Sequence, residues 1–295
     1  MRTARHDVPS PQEHQVTTQA APAPPVFHST NSGVIVQRTA QLKQAHRTEG
    51  RRLALEQAAF LNAKHAGQAT VTVHEEAFGT RDRLHWLIHL PALGGYRALA
   101  PLLDGDEGPA ADADWHGWFT DGSFHETALI PQHWGMYGTD EALPEGTVID
   151  AAAPDLRVPP AQRQTSISPA RTRHSANSGL IIHRSAQPKY AFRAEARLFA
   201  RRITASITTG LPGIASSFLY EEAFGPADRV HWLIHMKSVD AYYDLIDMHM
   251  RMDEETRAIY LDEIIAPEKG GGTWNRLFVE GAMTDTAFAP LAEAH

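Results

Sequence analysis

An α+β fold built from two copies of one βαββαβ unit follows from three features of the sequence. Residues 28–89 and 174–235 align without a gap at a constant offset of 146 (174 − 28), and about half of the aligned positions are identical. In each copy, a stretch of helical composition is followed by two alternating apolar runs that flank a Gly-containing turn signal. A third shared segment, WFTDGSFHETALIP against LFVEGAMTDTAFAP, recurs at an offset of 159 (277 − 118). Duplication of this quality sets the architecture before any single element is assigned.

The elements of the first copy read in order. Gly33–Arg38 alternates and is rich in Val and Ile, as a strand requires, and Gln41–Ala66 has the Ala, Leu, Arg and Glu content of a helix. Ala69–Ala77 and Arg83–Leu90 read as two strands around Gly-Thr-Arg-Asp, a hairpin turn. Leu93–Leu103 predicts a second helix and Trp118–Leu129 a last strand. The second copy repeats the order from Leu180, and 13 extra residues (159 − 146) around MHMRMDEETRAIYLDE and EKGGG predict a longer second helix and a lid. Such units make four-stranded antiparallel sheets with both helices on one face, the ferredoxin-like arrangement, and each sheet's bare face needs a cover. Residues 1–25, rich in Pro, Ala and Gln, predict a disordered arm, and 141–171, with five prolines, an extended linker between a repeat at 26–140 and another at 172–295.

Composition narrows the function classes. A net charge of −8 speaks against a phosphate-backbone partner, so no nucleic acid is expected. No apolar run is long enough to span a bilayer and the N-terminal stretch lacks the apolar region of a secretory signal, which together predict no membrane and a cytoplasmic location. The absence of cysteine excludes disulfides, thiolate catalysis and Cys-ligated metal, and the 17 histidines become the residues to follow.

With the hairpin turn placed at Thr80-Arg81, Phe78 pairs with Arg83, Glu76 lies opposite His85, His74 opposite Leu87 and Thr72 opposite His89. The second copy then sets Glu222 against His231 on a face that also carries Tyr220 and His235. Both copies keep the Glu–His pair, in which a carboxylate would orient an imidazole and raise its basicity, so Glu76/His85 and Glu222/His231 are the candidate catalytic bases. The alternative is an ion pair filling a polar barrel interior. His85 and His89 are four apart on a strand, about 13 Å, too far to share a metal, so no metal ligands are assigned. A metal would have to be built across strands, for example from His85, His74 and Glu76. A stripe of Lys43, Arg47 and Arg51, repeated as Lys189, Arg193 and Arg197, reads as a solvated basic face or an anion site, and Asn31 and Asn177 read as turn residues before the first strands.

The duplication and the segments LHWLIHLPALGGYRAL and VHWLIHMKSVDAYYDL resemble the dimeric α/β-barrel superfamily in tandem form, over residues 28–137 and 174–290. The likeness is to antibiotic-biosynthesis monooxygenases, aromatic polyketide cyclases and ring-cleaving oxygenases. It implies two sheets packed on each other as an intramolecular barrel. It also implies a tailoring oxygenase of secondary metabolism, with a small aromatic or phenolic substrate and molecular oxygen as partners, and a homodimer of the whole chain as a further step. By residue type it points to Asn31, Trp86, Asn177 and Trp232 as substrate-binding positions, joined by Arg38 and Arg184 at the ends of the first strands and by His74, His89, Tyr220 and His235 from the inner face. No tightly bound cofactor is expected, with externally supplied reduced flavin as an option. The same superfamily resembles chlorite dismutases and dye peroxidases, which makes haem or a transition metal the alternative, and a non-catalytic binder is the third reading. Trp115, His116, Trp118, His125, His133 and Trp134 crowd the end of the first copy and predict a pocket there, whereas Met248, Met250 and Met252 predict adaptable core in the second.

Overall fold

The computed structural model describes residues 23–132, 158–251 and 253–291. The strands are β1 (Val34–Gln41), β2 (Thr70–Phe78), β3 (Arg83–Leu90), β4 (His125–Pro131), β5 (Leu180–Ala186), β6 (Ala215–Glu222), β7 (Val230–Met236) and β8 (Thr284–Pro290). The helices are α1 (Arg47–Lys64), α2 (Tyr96–Leu103), α3 (Arg193–Gly210), α4 (Ala241–Arg251) and α5 (Glu254–Leu261). The strands close into an antiparallel barrel in the order β1-β3-β2-β8-β5-β7-β6-β4. The halves join edge to edge through β2–β8 and β4–β6, which leaves no strand edge open.

Closure buries β3 on two faces. Along β3, Leu84, Trp86, Ile88 and Leu90 point out beneath α1 and α2, while His85, Leu87 and His89 point into the barrel. That is why this strand is nearly all apolar instead of alternating. Three cores result: one under α1 and α2, one under α3 to α5, and a central one of Ile35, Leu87, Leu129, Ile181, Phe218, Tyr220, Leu233 and Phe288.

The structure corrects several expectations. The hairpin register is shifted by two: His74 pairs with His85, Thr72 with Leu87 and Thr70 with His89, and in the second half Tyr220 pairs with His231 and Ser216 with His235. No tight turn forms at Thr80-Arg81, because β2 leaves β3 after Glu75 and bulges across to β8. The Glu76 carboxylate folds back to accept the Thr80 N–H at 2.7 Å. Gly79 and Gly225 sit at φ +120° and +141°, a backbone conformation that L side chains rarely adopt, so both turns favour glycine, and a Cβ at either would also displace the neighbouring carboxylate. A shift of two equals the strand period, and every side chain keeps its predicted face.

Helix α1 starts later than expected, since Gln41 still pairs with Arg83 in the sheet. The strand expected from Trp118 begins at His125, after a 3-10 turn at His116–Trp118 that lets Phe119 enter the core. In the second half the extra residues make α5, docked on α3 through Ser206 and Thr256 hydroxyls 3.0 Å apart, rather than one longer helix with a free lid.

The predicted linker is partly built into the barrel. Ala161 is buried in the central core, and Gln164 donates to the Gln132 and Leu219 carbonyls and accepts the Leu219 N–H, as a short strand would. Its prolines therefore shape a plug at residues 158–171 and not an extended tether. The expected arm at 1–22, the linker at 141–157, and His133, Trp134 and Met252 lie outside the described residues.

Candidate functional site

The barrel interior gathers the residues that sequence assigned to catalysis. Glu76 Oε2 is 3.8 Å from His85 Nε2 and Glu222 Oε2 is 3.3 Å from His231 Nε2, so each pair meets diagonally despite the register shift. Repeat 2 adds a residue that sequence reasoning missed. His183 Nε2 lies 2.8 Å from His231 Nδ1, whereas repeat 1 has Gln37 at this position, 3.2 Å from His85 Nδ1. With Glu222 ionised, His231 donates through Nε2 and accepts through Nδ1, so His183 donates to it. The signal was available: position 183 is an inward place where the copies exchange Gln for His.

Burial disfavours the protonated form of these rings. It lowers His231 to about 2, with His183 and Arg229 adding repulsion, and it lowers His183 to about 4. His85 is also lowered by burial, partly opposed by Glu76. At neutral pH these imidazoles are held neutral, each with one N–H donor and one lone pair. Among the described residues, no group of three or more His, Asp or Glu is arranged to hold a metal ion, including the His85, His74 and Glu76 set.

The other end of the barrel is tied by the duplicated His-Ser-x-Asn-Ser-Gly loops. The Ser29 and Ser175 backbone N–H groups donate to each other's hydroxyls at 3.0 and 3.1 Å, and the His28 and His174 rings stack 3.7 Å apart. Ser175 Oγ is 2.9 Å from His89 Nε2 and Ser29 Oγ is 2.9 Å from His235 Nε2, while the Tyr220 hydroxyl donates to the Ser29 carbonyl at 2.6 Å. His74 occupies the Tyr220 position and packs edge-on to Phe288. Asn31 and Asn177 accept the His28 and His174 N–H groups at 2.7 and 2.8 Å, the turn function. His89, His235 and Tyr220 are thus engaged in joining the halves, while Asn31 and Asn177 shape the loops that meet there.

The remaining predicted residues stand on the outer face. Arg197 is buried and holds Glu221 and Asp228 at 2.7 Å each, so this end of the basic stripe is an internal clamp and not a solvated face. Arg51 makes the equivalent contacts to Glu75 and Asp82. Arg38 lies opposite Trp86, and Arg184 opposite Trp232. In repeat 1 the space above this pair is packed by Trp115 and Phe119, and an open cavity of about 470 Å³ beside it is lined by Arg38, Asp104, His116, Phe124 and Glu126, so His116 of the crowded set lines a pocket. A cavity of about 510 Å³, lined by Val36, Leu93, Tyr96, Glu126 and Phe224, opens beyond it to solvent.

Repeat 2 instead has a more enclosed cleft between the sheet and α3 to α5. Its two lobes, of about 250 and 300 Å³, share Arg184, Ile203, Ile207, Ile234 and Tyr260. One lobe is walled by Phe199, Trp232 and Trp274, with the Phe199 and Trp274 rings stacked 5.5 Å apart, and the other by Tyr242, Leu245, His249 and Met250. Arg184 spends Nε and Nη2 on Asp285 at 2.8 and 2.7 Å. Burial raises the Tyr260 hydroxyl, opposed by nearby Arg184, so it is a neutral donor in the cleft. Sequence identified Arg184 and Trp232 here but missed Phe199, Tyr260, Trp274 and His249, which only the docking of α4 and α5 brings together.

The described residues thus form a closed eight-stranded antiparallel barrel with its helices outside and a cleft beneath those of repeat 2. The chain belongs to a family of unknown function (DUF6039), whose profile matches residues 2–295. No curated protein matches it in sequence. Among solved structures, a provisionally named monooxygenase of Fusobacterium nucleatum is 8% identical with a TM-score of 0.50, the match covering 88% of this chain and 92% of that one. An anthrone oxidase-like protein is 11% identical (TM-score 0.48, 92% and 95% covered), and a chlorite dismutase variant from Candidatus Nitrospira defluvii 12% (0.48, 89% and 94%). These likenesses concern the fold. Among the described residues, no helix is long and apolar enough to cross a membrane.

Proposed function

We propose that this chain is an oxygen-using enzyme that takes a small aromatic or phenolic molecule into the outer cleft of repeat 2. The observation that carries the proposal is the cleft itself, an apolar slot walled by Phe199, Trp232, Tyr260 and Trp274 with few polar groups, the usual form of a small-molecule site. Stacked aromatic walls fit a flat ring better than a branched aliphatic one. The reaction class comes from the resemblance of the two HWLIH segments to monooxygenases and from the name of the Fusobacterium protein that shares the fold. A tailoring role in secondary metabolism, two ferredoxin-like repeats as building blocks and chemistry without a tightly bound metal belong to the same reading. An electron-rich phenolate reacts with dioxygen once it is formed in a dry pocket, with reduced flavin as an external electron source where the substrate itself does not suffice.

Oxygen uptake by the purified chain with a hydroquinone or an anthrone tests the proposal. Consumption of oxygen coupled to loss of substrate is expected. Equal turnover under anaerobic conditions would make it a cyclase, a stoichiometric Soret band would make it a haem enzyme, and no turnover would leave a binding protein.

A further inference from the structure

The cleft of repeat 2 contains a histidine whose tautomer is fixed. His249 Nδ1 lies 2.7 Å from the Leu245 carbonyl oxygen, one turn back on α4. A carbonyl only accepts, so Nδ1 carries the proton and Nε2 carries the lone pair. His249 is half-buried and lines the same lobe as Arg184, with Tyr260 edge-on to its ring at 5.9 Å. Sequence reasoning passed it over within a methionine-rich helix end.

Arg184 is the complementary group. Its fork engages Asp285 through Nε and Nη2, which leaves Nη1 for a ligand. The equivalent Arg38 of repeat 1 is held by Glu126 and Asp104 and by the Tyr96 hydroxyl. Position 250, equivalent to Asp104 at the offset of 146 (250 − 104), is Met250, so Arg184 has one carboxylate where Arg38 has two. Its side chain is 38% exposed against 8% for Arg38.

We infer that His249 and Arg184 form the proton-transfer site of this cleft: a phenolic O–H breaks, its proton passes to His249 Nε2, and the resulting phenolate pairs with the Arg184 guanidinium. The step moves one proton and no electrons, and His249 becomes imidazolium. The inference rests on the cleft being the aromatic site and deepens that reading by naming the substrate class, a monocyclic or bicyclic phenol. It moves the base from the buried Glu–His pairs to the outer face. The charged and titratable groups facing the bound oxygen are Arg184 on β5, Asp285 on β8, Tyr242 and His249 on α4 and Tyr260 on α5.

The test uses the full chain and 4-nitrophenol, whose anion absorbs visible light, titrated at a pH about one unit below the free phenol's own pKa. The expected result is saturable binding with the bound probe mainly anionic, equivalent to a fall in its pKa of at least about one unit, a tenfold change in the ionised fraction ratio. His249→Gln, which leaves the Arg184–Asp285 pair intact, and Arg184→Gln should each reverse most of that shift. Weaker binding of the probe should accompany the lost ionisation, because the bound anion pairs with Arg184. A neutral bound probe in the parent, or an unchanged shift in both variants, would overturn the proton-transfer site while leaving the aromatic cleft standing. Absence of saturable binding would overturn both. Ionisation without oxygen uptake from a hydroquinone would keep the site and remove the oxygenase reading.

Discussion

Arg38 and Arg184 hold the same place in the two repeats, each opposite a tryptophan on the neighbouring strand, yet Arg38 is held by two carboxylates beside an open pocket and Arg184 by one carboxylate beside a more enclosed cleft. Three substitutions between the copies produce the difference. Asp104 gives way to Met250, Glu126 to the shorter Asp285, and Leu53 to Phe199. The last change matters for packing. Trp115 of repeat 1 turns onto Trp86 and Phe119, at 6.2 and 4.7 Å, whereas its counterpart Trp274 stacks on Phe199 and vacates the space above Trp232. Duplication supplied one scaffold, and small exchanges of charge and ring position left repeat 1 with open pockets around a packed Trp115 and repeat 2 with a more enclosed aromatic cleft.

The widest separation between the halves should appear at this tryptophan pair. Trp115→Ala should cost about 3–5 kcal/mol of unfolding free energy in urea, as for any large aromatic removed from a sealed core. Trp274→Ala should cost less than half of that but weaken binding of a naphthol at least tenfold, about 1.4 kcal/mol. Equal stability losses would mean that the two rings do the same job.

The clamps give a second contrast. Arg197→Met leaves Glu221, 4% exposed at its side chain, as an unpaired buried charge and should cost about 3 kcal/mol. Arg51→Met acts at a site where both partners are about a quarter exposed and should cost about 1 kcal/mol. Chemical denaturation of both variants checks the ratio.

Acid should act through the buried rings, and the sign follows from their direction. Burial lowers His231 to about 2, His183 and His89 to about 4 and His235 to about 3, so the fold keeps them neutral. Below about pH 6.5 the unfolded chain binds more protons than the folded one, so this stability is complete above that value and lost as pH falls toward the folded pKa values. A His231→Gln variant should flatten the fall of Tm between pH 6.5 and pH 4, roughly the window those pKa values span, more than His85→Gln, because Glu76 offsets part of the burial at His85. A steeper slope in His231→Gln would contradict the neutral assignment.

How far the sequence could be read depended on whether a feature was local. The strands, the long helices and the face of each side chain were legible, because alternation and duplication are encoded in consecutive residues. The hairpin register was not. Its two-residue shift comes from β2 bulging across to Phe288 and Ala287 of β8, a partner about 200 positions away whose pull has no local signature. Arg184 and Trp232 were identified through their duplicated counterparts, but Tyr260 and Trp274 enter the cleft only through the docking of the inserted helix on α3. The Glu–His pairs were visible and adjacent as expected, while the depth of their burial, which holds the rings neutral, depends on closure of the whole barrel.

The smallest difference should be at the turn asparagines. Asn31→Ala and Asn177→Ala each remove one side chain acceptor from a backbone N–H in nearly identical loops, and each should cost about 1 kcal/mol. Unequal costs in thermal unfolding would place one loop in a second role.

The central claim is that ligand binding belongs to the outer face of repeat 2. A crystal structure of the full chain with 2-naphthol tests it most directly. The account predicts the ring between Phe199, Trp274 and Trp232, with its oxygen within hydrogen-bonding distance of Arg184 Nη1 and His249 Nε2. A naphthol seated inside the barrel beside His183 and His231, or beneath Phe224 in repeat 1, would contradict it.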